Sequence, residues 1–290
     1  MRTPTASFVA AAAAICPLLA ACGSTTVPSQ VLTTPAPVTA AAPVARSSAA
    51  WLYQPSTERQ RLVVDQSAVI AIRLDTSTHT DTVSSHAEVT FSAMPASRGV
   101  TGSVEAFLVG GAGRGPGTPG GLVTPFPLRA AYPARDLQIE FSAPFDTAPC
   151  SSIALAAAQS LRDLWFQPPD TLRAGSTWSD SSKYVICRDG ITLHATVHRL
   201  FHVAGTSVRD GHPRLAIARL SRTVIDAGAS QFGDQVTVSG SGNGQLTYDF
   251  DPISGEVISA SGSATLDLSL HGGQRTQLVH QTVEIRIGRS

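Results

Sequence analysis

The stretch Val279-His280-Gln281-Thr282-Val283-Glu284-Ile285-Arg286-Ile287 alternates between two chemistries, residue by residue. Val279, Val283, Ile285 and Ile287 share one side with Gln281, and His280, Thr282, Glu284 and Arg286 take the other. Successive side chains of a strand point to opposite faces, so this period of two predicts a β-strand with one face buried and one wet. The same pattern recurs upstream. Leu266, Leu268 and Leu270 oppose Thr265, Asp267 and Ser269; Leu246, Tyr248 and Phe250 share a face; Ile70, Ile72 and Leu74 alternate with Val69, Ala71 and Arg73.

The breaks between these runs carry turn chemistry. Asp251-Pro252-Ile253-Ser254-Gly255 presets φ at its proline and offers a glycine for the left-handed position, which predicts a hairpin. His271-Gly272-Gly273-Gln274 is a second hairpin signal. One segment differs in period. After Pro149-Cys150-Ser151-Ser152, which supplies a serine N-cap, Ile153, Ala156, Ala157, Leu161 and Leu164 fall on one helical face, and Pro168-Pro169 stops the run. The expected fold is therefore mainly β: an antiparallel meander forming a curved sheet or open barrel with one helix near 151–166. That helix divides two β halves, 51–145 and 171–290, which show no sequence repeat. Trp165 and Phe166 are expected to pack on the sheet, and Trp178 to be a core or sheet-edge aromatic.

The 290 residues carry no formal net charge, 14% are charged and 42% hydrophobic. Such a chain can bury a core, which argues against global disorder. Lys183 is the only lysine, and the arginines form no basic stripe, so nucleic acid is not an expected partner.

The N-terminus reads as a leader. Met1-Arg2-Thr3-Pro4-Thr5-Ala6-Ser7 precedes an apolar run from Phe8 to Leu19. As a helix that run would reach about 18 Å, short of a hydrocarbon core of about 30 Å, and it suits the core of a signal peptide. It ends in Leu19-Ala20-Ala21-Cys22-Gly23-Ser24. These residues resemble the lipobox of bacterial lipoproteins, with leucine at −3, small residues at −2 and −1, and cysteine at +1. The resemblance covers only the first two dozen residues, and a single arginine and Pro17 depart from the family's usual leader. It implies cleavage after residue 21, diacylglycerol on the Cys22 thiol and a further acyl chain such as palmitate on its new amine. It implies a lipid-anchored place in the cell envelope, on the outer membrane facing periplasm or cell surface in a two-membrane cell. Multiple acyl chains hold firmly where one holds marginally. Residues 22–50 then read as a Thr/Pro/Ala/Ser-rich disordered tether, stiffened by Pro28, Pro35, Pro37 and Pro43.

Cys16 falls in the leader and Cys22 under lipid, which leaves Cys150 and Cys187 as an even pair in an exported domain. A disulfide between them is the expectation, worth about 3–4 kcal/mol in the chain-entropy picture.

His194, His198 and His202 are the strongest metal candidates, but Leu193, Ala195, Val197, Phe201 and Val203 occupy the alternate positions, so the stretch is a strand with a polar face. Histidines four apart on a strand stand about 13 Å apart, too far to share one zinc ion, so no metal is expected. Gly113, Gly115 and Gly117 lie in the Gly/Pro-rich stretch Gly110 to Gly121, where Pro116 and Pro119 break any phosphate-binding fingerprint. No nucleophile elbow, Ser-x-x-Lys or His-Glu-x-x-His is present. Asp180, Asp189, Asp210 and Asp226 read as turn and surface residues, and Asp234 and Asp249 show no partner.

No catalytic residue and no cofactor is expected. The leading expectation is a non-catalytic envelope lipoprotein that binds an envelope protein or a lipid-like amphiphile. Its organisation is similar to half-barrel proteins of the lipoprotein-carrier type, a likeness of architecture that transfers no binding residue. A carrier would need a concave apolar pocket of several hundred Å3; a filled interior with an exposed apolar patch would favour a protein binder. The alternatives are a structural or assembly role and a hydrolase with an unrecognised site.

Overall fold

The computed structural model describes residues 49–94, 99–111, 120–122, 125–141, 153–188, 191–229, 236–272 and 275–290. The expected leader, Cys22, nearly all of the tether, the serine N-cap, Cys150, Asp189, Asp234 and Gly113 to Gly117 lie outside them. Cys187 lies in a strand, opposite Thr192.

The strands are β1 (Ala50–Leu52), β2 (Gln60–Leu74), β3 (Ser77–Met94), β4 (Gly99–Gly111), β5 (Gly120–Leu122), β6 (Phe126–Ala131) and β7 (Asp136–Phe141). After helix α1 (Ile153–Leu161) come β8 (Thr171–Arg173), β9 (Thr177–Arg188), β10 (Ile191–Arg209), β11 (His212–Ala229), β12 (Val236–Asp251), β13 (Glu256–Gly272) and β14 (Arg275–Arg289). The expected mainly β, antiparallel fold with one helix is observed, and the sheet goes further by closing on itself. Hydrogen bonding runs β3-β2-β14-β13-β12-β11-β10-β9-β7-β6-β4, and β4 returns to β3. The strands before and after α1 are thus staves of one barrel, eleven among the described residues, with short β5 also bonded to β4.

An odd ring cannot alternate direction all the way round, so one neighbouring pair must run parallel. That pair is β7–β9, where Asp136 faces Ser181 and Leu137 faces Ser182. Parallel neighbours need a long crossover, and here it carries α1. Barrel diameter grows with strand number, and a wall of about eight strands is filled by its own side chains; a wider wall leaves room. The crossover occupies part of it: Ala157, Leu161, Leu164, Trp165 and Phe166 are buried in one core cluster, and wall residues such as Leu193, Val238, Leu268 and Val279 form a second. The helix ends at Leu161, earlier than Pro168 would require, because a tight turn follows in which the Leu164 amide donates to the Leu161 carbonyl at 3.0 Å. A helix this short is marginal alone and is held by the wall. Gln66 of β2 donates to the Ser160 carbonyl at 2.9 Å and the Ser85 hydroxyl of β3 meets that of Ser160 at 3.2 Å. On the far side Gln159 donates to the Val185 carbonyl of β9.

The predicted alternation sets the polarity of the wall. Val279, Ile285 and Ile287 of β14, Leu246, Tyr248 and Phe250 of β12, and Leu268 and Leu270 of β13 are buried, while His280, Glu284 and Arg286 are exposed. Ile70 and Ile72 pack inward, whereas Leu74, at the strand end, is exposed. The predicted hairpin at Asp251 to Gly255 is present, with Gly255 at φ 68° and Asp251 facing Glu256. Gly272 faces Arg275 across the second hairpin. One end of the barrel is capped by a two-stranded piece, β1 on β8, extended by a hydrogen bond from the Tyr53 amide to the Asp170 carbonyl at 2.7 Å.

Candidate functional site

Two features inside the barrel depart from plain apolar filling: a layer of charge and an aromatic cavity beneath the capped end.

The charged layer grows from inward positions of three strands. On β10 the buried face reads Leu193, Ala195, Val197, Arg199, Phe201, Val203; on β11 it reads Leu215, Ile217, Arg219; on β9 it includes Trp178, Asp180 and Ser182. The Arg199 guanidinium donates to Asp180 Oδ1 through Nε at 2.6 Å and to Oδ2 through Nη2 at 2.7 Å. Its Nη1 donates to the Arg162 carbonyl at 3.0 Å, just beyond the helix. Arg219 pairs with Asp163, whose carbonyl accepts the Tyr248 hydroxyl at 2.8 Å. Burial pushes the Asp163 carboxyl up, but Arg219, with Arg162 and Arg199 behind it, outweighs burial and holds it below the usual carboxylate range. Every carboxylate in this layer has its guanidinium. The layer latches the crossover to the wall.

This corrects the sequence reading of Asp180. It is no surface residue: its even position on β9 points it inward, opposite Arg199. Asp249 is likewise not alone, since Arg209 Nη1 lies 3.4 Å from its Oδ2. Asp210 is the turn residue expected, at φ 53°, and Asp226 lies in β11 opposite His194. The sequence carried a signal for the missed layer: Arg199 and Arg219 interrupt apolar faces where a charge must be matched from another element. Asp163, in a turn, carried none.

His194, His198 and His202 lie on β10 as a strand, exposed on the outer face. His198 stands between Ser181 and Arg222, and His202 between Thr177 and Ala218. Among the described residues no cluster of three or more histidine, cysteine, aspartate or glutamate side chains could hold a metal.

The cavity, about 210 Å3, lies beside the cap. Its wall is built from the end of β3 (Phe91, Ala93, Met94), the start of β4 (Gly99, Val100), Tyr132, the chain after α1 (Leu164 to Pro168, Asp170), and Phe250 and Val257 of the β12–β13 hairpin; Tyr53, Pro55 and Ser56 close it. Phe91 meets Trp165 edge-on at 5.6 Å between centroids, and Tyr53 lies 6.2 Å from Phe250. From Phe166 in this wall the aromatic cluster continues to Trp178, which stacks on Phe201 at 5.0 Å. Trp165, Phe166 and Trp178 thus pack as expected. Burial pushes the Tyr53 phenol up to about 12, so the lining stays neutral there at physiological pH. Tyr132 Oη and Trp165 Nε1 are buried without a hydrogen-bond partner.

By sequence the chain matches no protein family and no curated protein. Among solved structures, it is similar to a five-substitution mutant of the Rhodopseudomonas blastica porin, 9% identical over 79% of this chain and all of that one, with a TM-score of 0.24. A triple mutant of that porin gives 8% identity over 78% of this chain and all of that one, with a TM-score of 0.26. Likeness this shallow assigns no residue and no role. The wall itself runs against a pore: membrane barrels turn an apolar band outward and a polar lumen inward, whereas the buried face here is mostly apolar apart from the charged layer, and the described outer face is largely polar. Leu200 and Leu220, facing each other across β10 and β11 at 52% and 59% exposed, are among the exceptions, with Val69, Val208 and Val224.

Proposed function

We propose that this chain is a non-catalytic, envelope-tethered binding module that takes a small apolar molecule, or the apolar end of an amphiphile, into the cavity beside the cap. The observation that carries the reading is the cavity itself: an aromatic-lined space beside the crossover residues packed in the core. Ligand sites are concave, apolar and few per protein. At about 210 Å3 the space exceeds the roughly 150 Å3 cavity that holds benzene but falls below the several hundred Å3 expected of a carrier sheltering whole acyl chains. The reading is therefore a receptor for one compact group. The lipobox-like residues around Cys22 support its placement at a membrane surface, with the following residues as tether.

Calorimetric titration of the full chain with toluene tests binding, with Ala93→Phe as a filled-cavity control. Saturable binding in the native chain, lowered at least tenfold by the substitution, is the expected result; no binding, or binding indifferent to residue 93, overturns the reading. Metabolic labelling with palmitate tests the anchor separately: the native chain takes label and Cys22→Ser does not.

A further inference from the structure

The charge pattern of the cavity narrows the class of ligand, and this step rests on the binding reading above. We propose that the cavity receives a cationic group, a quaternary or alkylated ammonium, rather than a carboxylate or phosphate.

Six aromatic rings, those of Tyr53, Phe91, Tyr132, Trp165, Phe166 and Phe250, belong to the lining. Their planes diverge, by 83° between Phe91 and Trp165 and 36° between Tyr53 and Phe250, so they enclose space instead of stacking through it. Among the described residues Asp170 is the only charged side chain in the lining, and it is exposed; no described lysine, arginine or histidine joins it. The nearby guanidinium of Arg199 is engaged by Asp180 and the Arg162 carbonyl. Tyr132 and Trp165 present rings to the lining, and their polar atoms Oη and Nε1 are buried. An anion entering would meet neutral donors, the Tyr53 and Ser56 hydroxyls and the Gln60 and Gln167 amides, but among the described lining residues no positive charge to offset its lost hydration, and it would face the Asp170 carboxylate. A cation meets the negative faces of the rings, the arrangement by which aromatic cages hold quaternary ammonium groups, with one carboxylate in the lining.

Three isosteres separate charge from shape: choline, the neutral 3,3-dimethylbutan-1-ol and the anionic 3,3-dimethylbutanoate. Titrated calorimetrically into the full chain, choline is expected to bind about fivefold to tenfold more tightly than the alcohol, in line with a desolvated cation–π contact, and the acid most weakly. Asp170→Asn is expected to lower choline affinity about threefold at low salt, as for one nearby charge, without changing the alcohol. Phosphatidylcholine vesicles distinguish the source of the group: sedimentation of the chain with them, abolished by free choline, points to a lipid headgroup, and choline binding without sedimentation points to a free molecule. Both outcomes support the ammonium class. Alcohol or acid binding as tightly as choline overturns this inference while leaving the binding reading intact. If toluene fails to bind in the test above, the binding reading itself fails and this inference with it.

Discussion

Arg199 and Asp180 face each other across β10 and β9 and form a two-pronged ion pair inside the barrel, at 2.6 and 2.7 Å, with their side chains 1% and 2% exposed. A buried pair is costly to assemble and costlier to break, because the surviving charge is stranded. Asp180→Ala is expected to lower unfolding stability by about 3–5 kcal/mol, measured by urea denaturation. The double substitution Asp180→Leu with Arg199→Met should recover most of that loss. Additive losses in the double variant would show that the two residues are not coupled.

Phe166 is the hub of the aromatic cluster, with ring centroids 4.9 Å from Tyr248, 5.3 Å from Phe201, 5.8 Å from Phe250 and 6.0 Å from Trp178. Phe166→Ala opens a cavity no neighbour can fill without leaving its own packing. A loss of about 3–5 kcal/mol is expected, seen as a lower denaturation midpoint; a shift within experimental error would mean that the crossover is not part of the cooperative core.

Acid should act on the β12–β13 turn. Burial pushes the Asp251 carboxyl up, but amide donors from Ser254 and Ile253 and the Arg214 guanidinium bring it below its ordinary value. A depressed carboxylate stabilises the fold above its unfolded pKa of about 3.9, and that contribution is lost as pH falls through the folded value. Asp251→Asn should therefore flatten the acid limb of a stability-against-pH curve below about pH 4. An unchanged limb would remove Asp251 from the account.

Base should act on the buried phenols. Burial pushes Tyr53 and Tyr248 to about 12. A raised phenol favours the folded state below the unfolded tyrosine pKa of about 10, and the benefit is lost as pH rises from there through the folded value. In an ultraviolet titration of the native chain, phenolate absorbance should lag that of the unfolded chain, and Tyr248→Phe should reduce the lag. Removing that hydroxyl also leaves the Asp163 carbonyl without its 2.8 Å donor, at a cost of about 1–3 kcal/mol.

The wall was legible from residue order because a strand's period of two is local: Ile285 and Glu284 must part to opposite faces whichever strand pairs with them. The Asp251 to Gly255 turn and the apolar stripe of Ala157, Leu161 and Leu164 were legible for the same reason. Asp180 was misread because a charged residue near polar neighbours looks solvated until its partner is known, and Arg199 is nineteen positions away. The cavity was not legible at all, since Tyr53, Phe91, Trp165 and Phe250 come from four distant parts of the chain.

Residue order alone therefore determined the strands, their wet and dry faces, the turns between them and the apolar helix, because each depends on neighbours a few positions apart. Closure of the wall into an odd-numbered ring, its single parallel seam, the crossover inside it, the internal ion pairs and the aromatic cavity were decided only in three dimensions. Each of these requires groups remote in the chain to meet, and which of them meet depends on how the whole sheet curves.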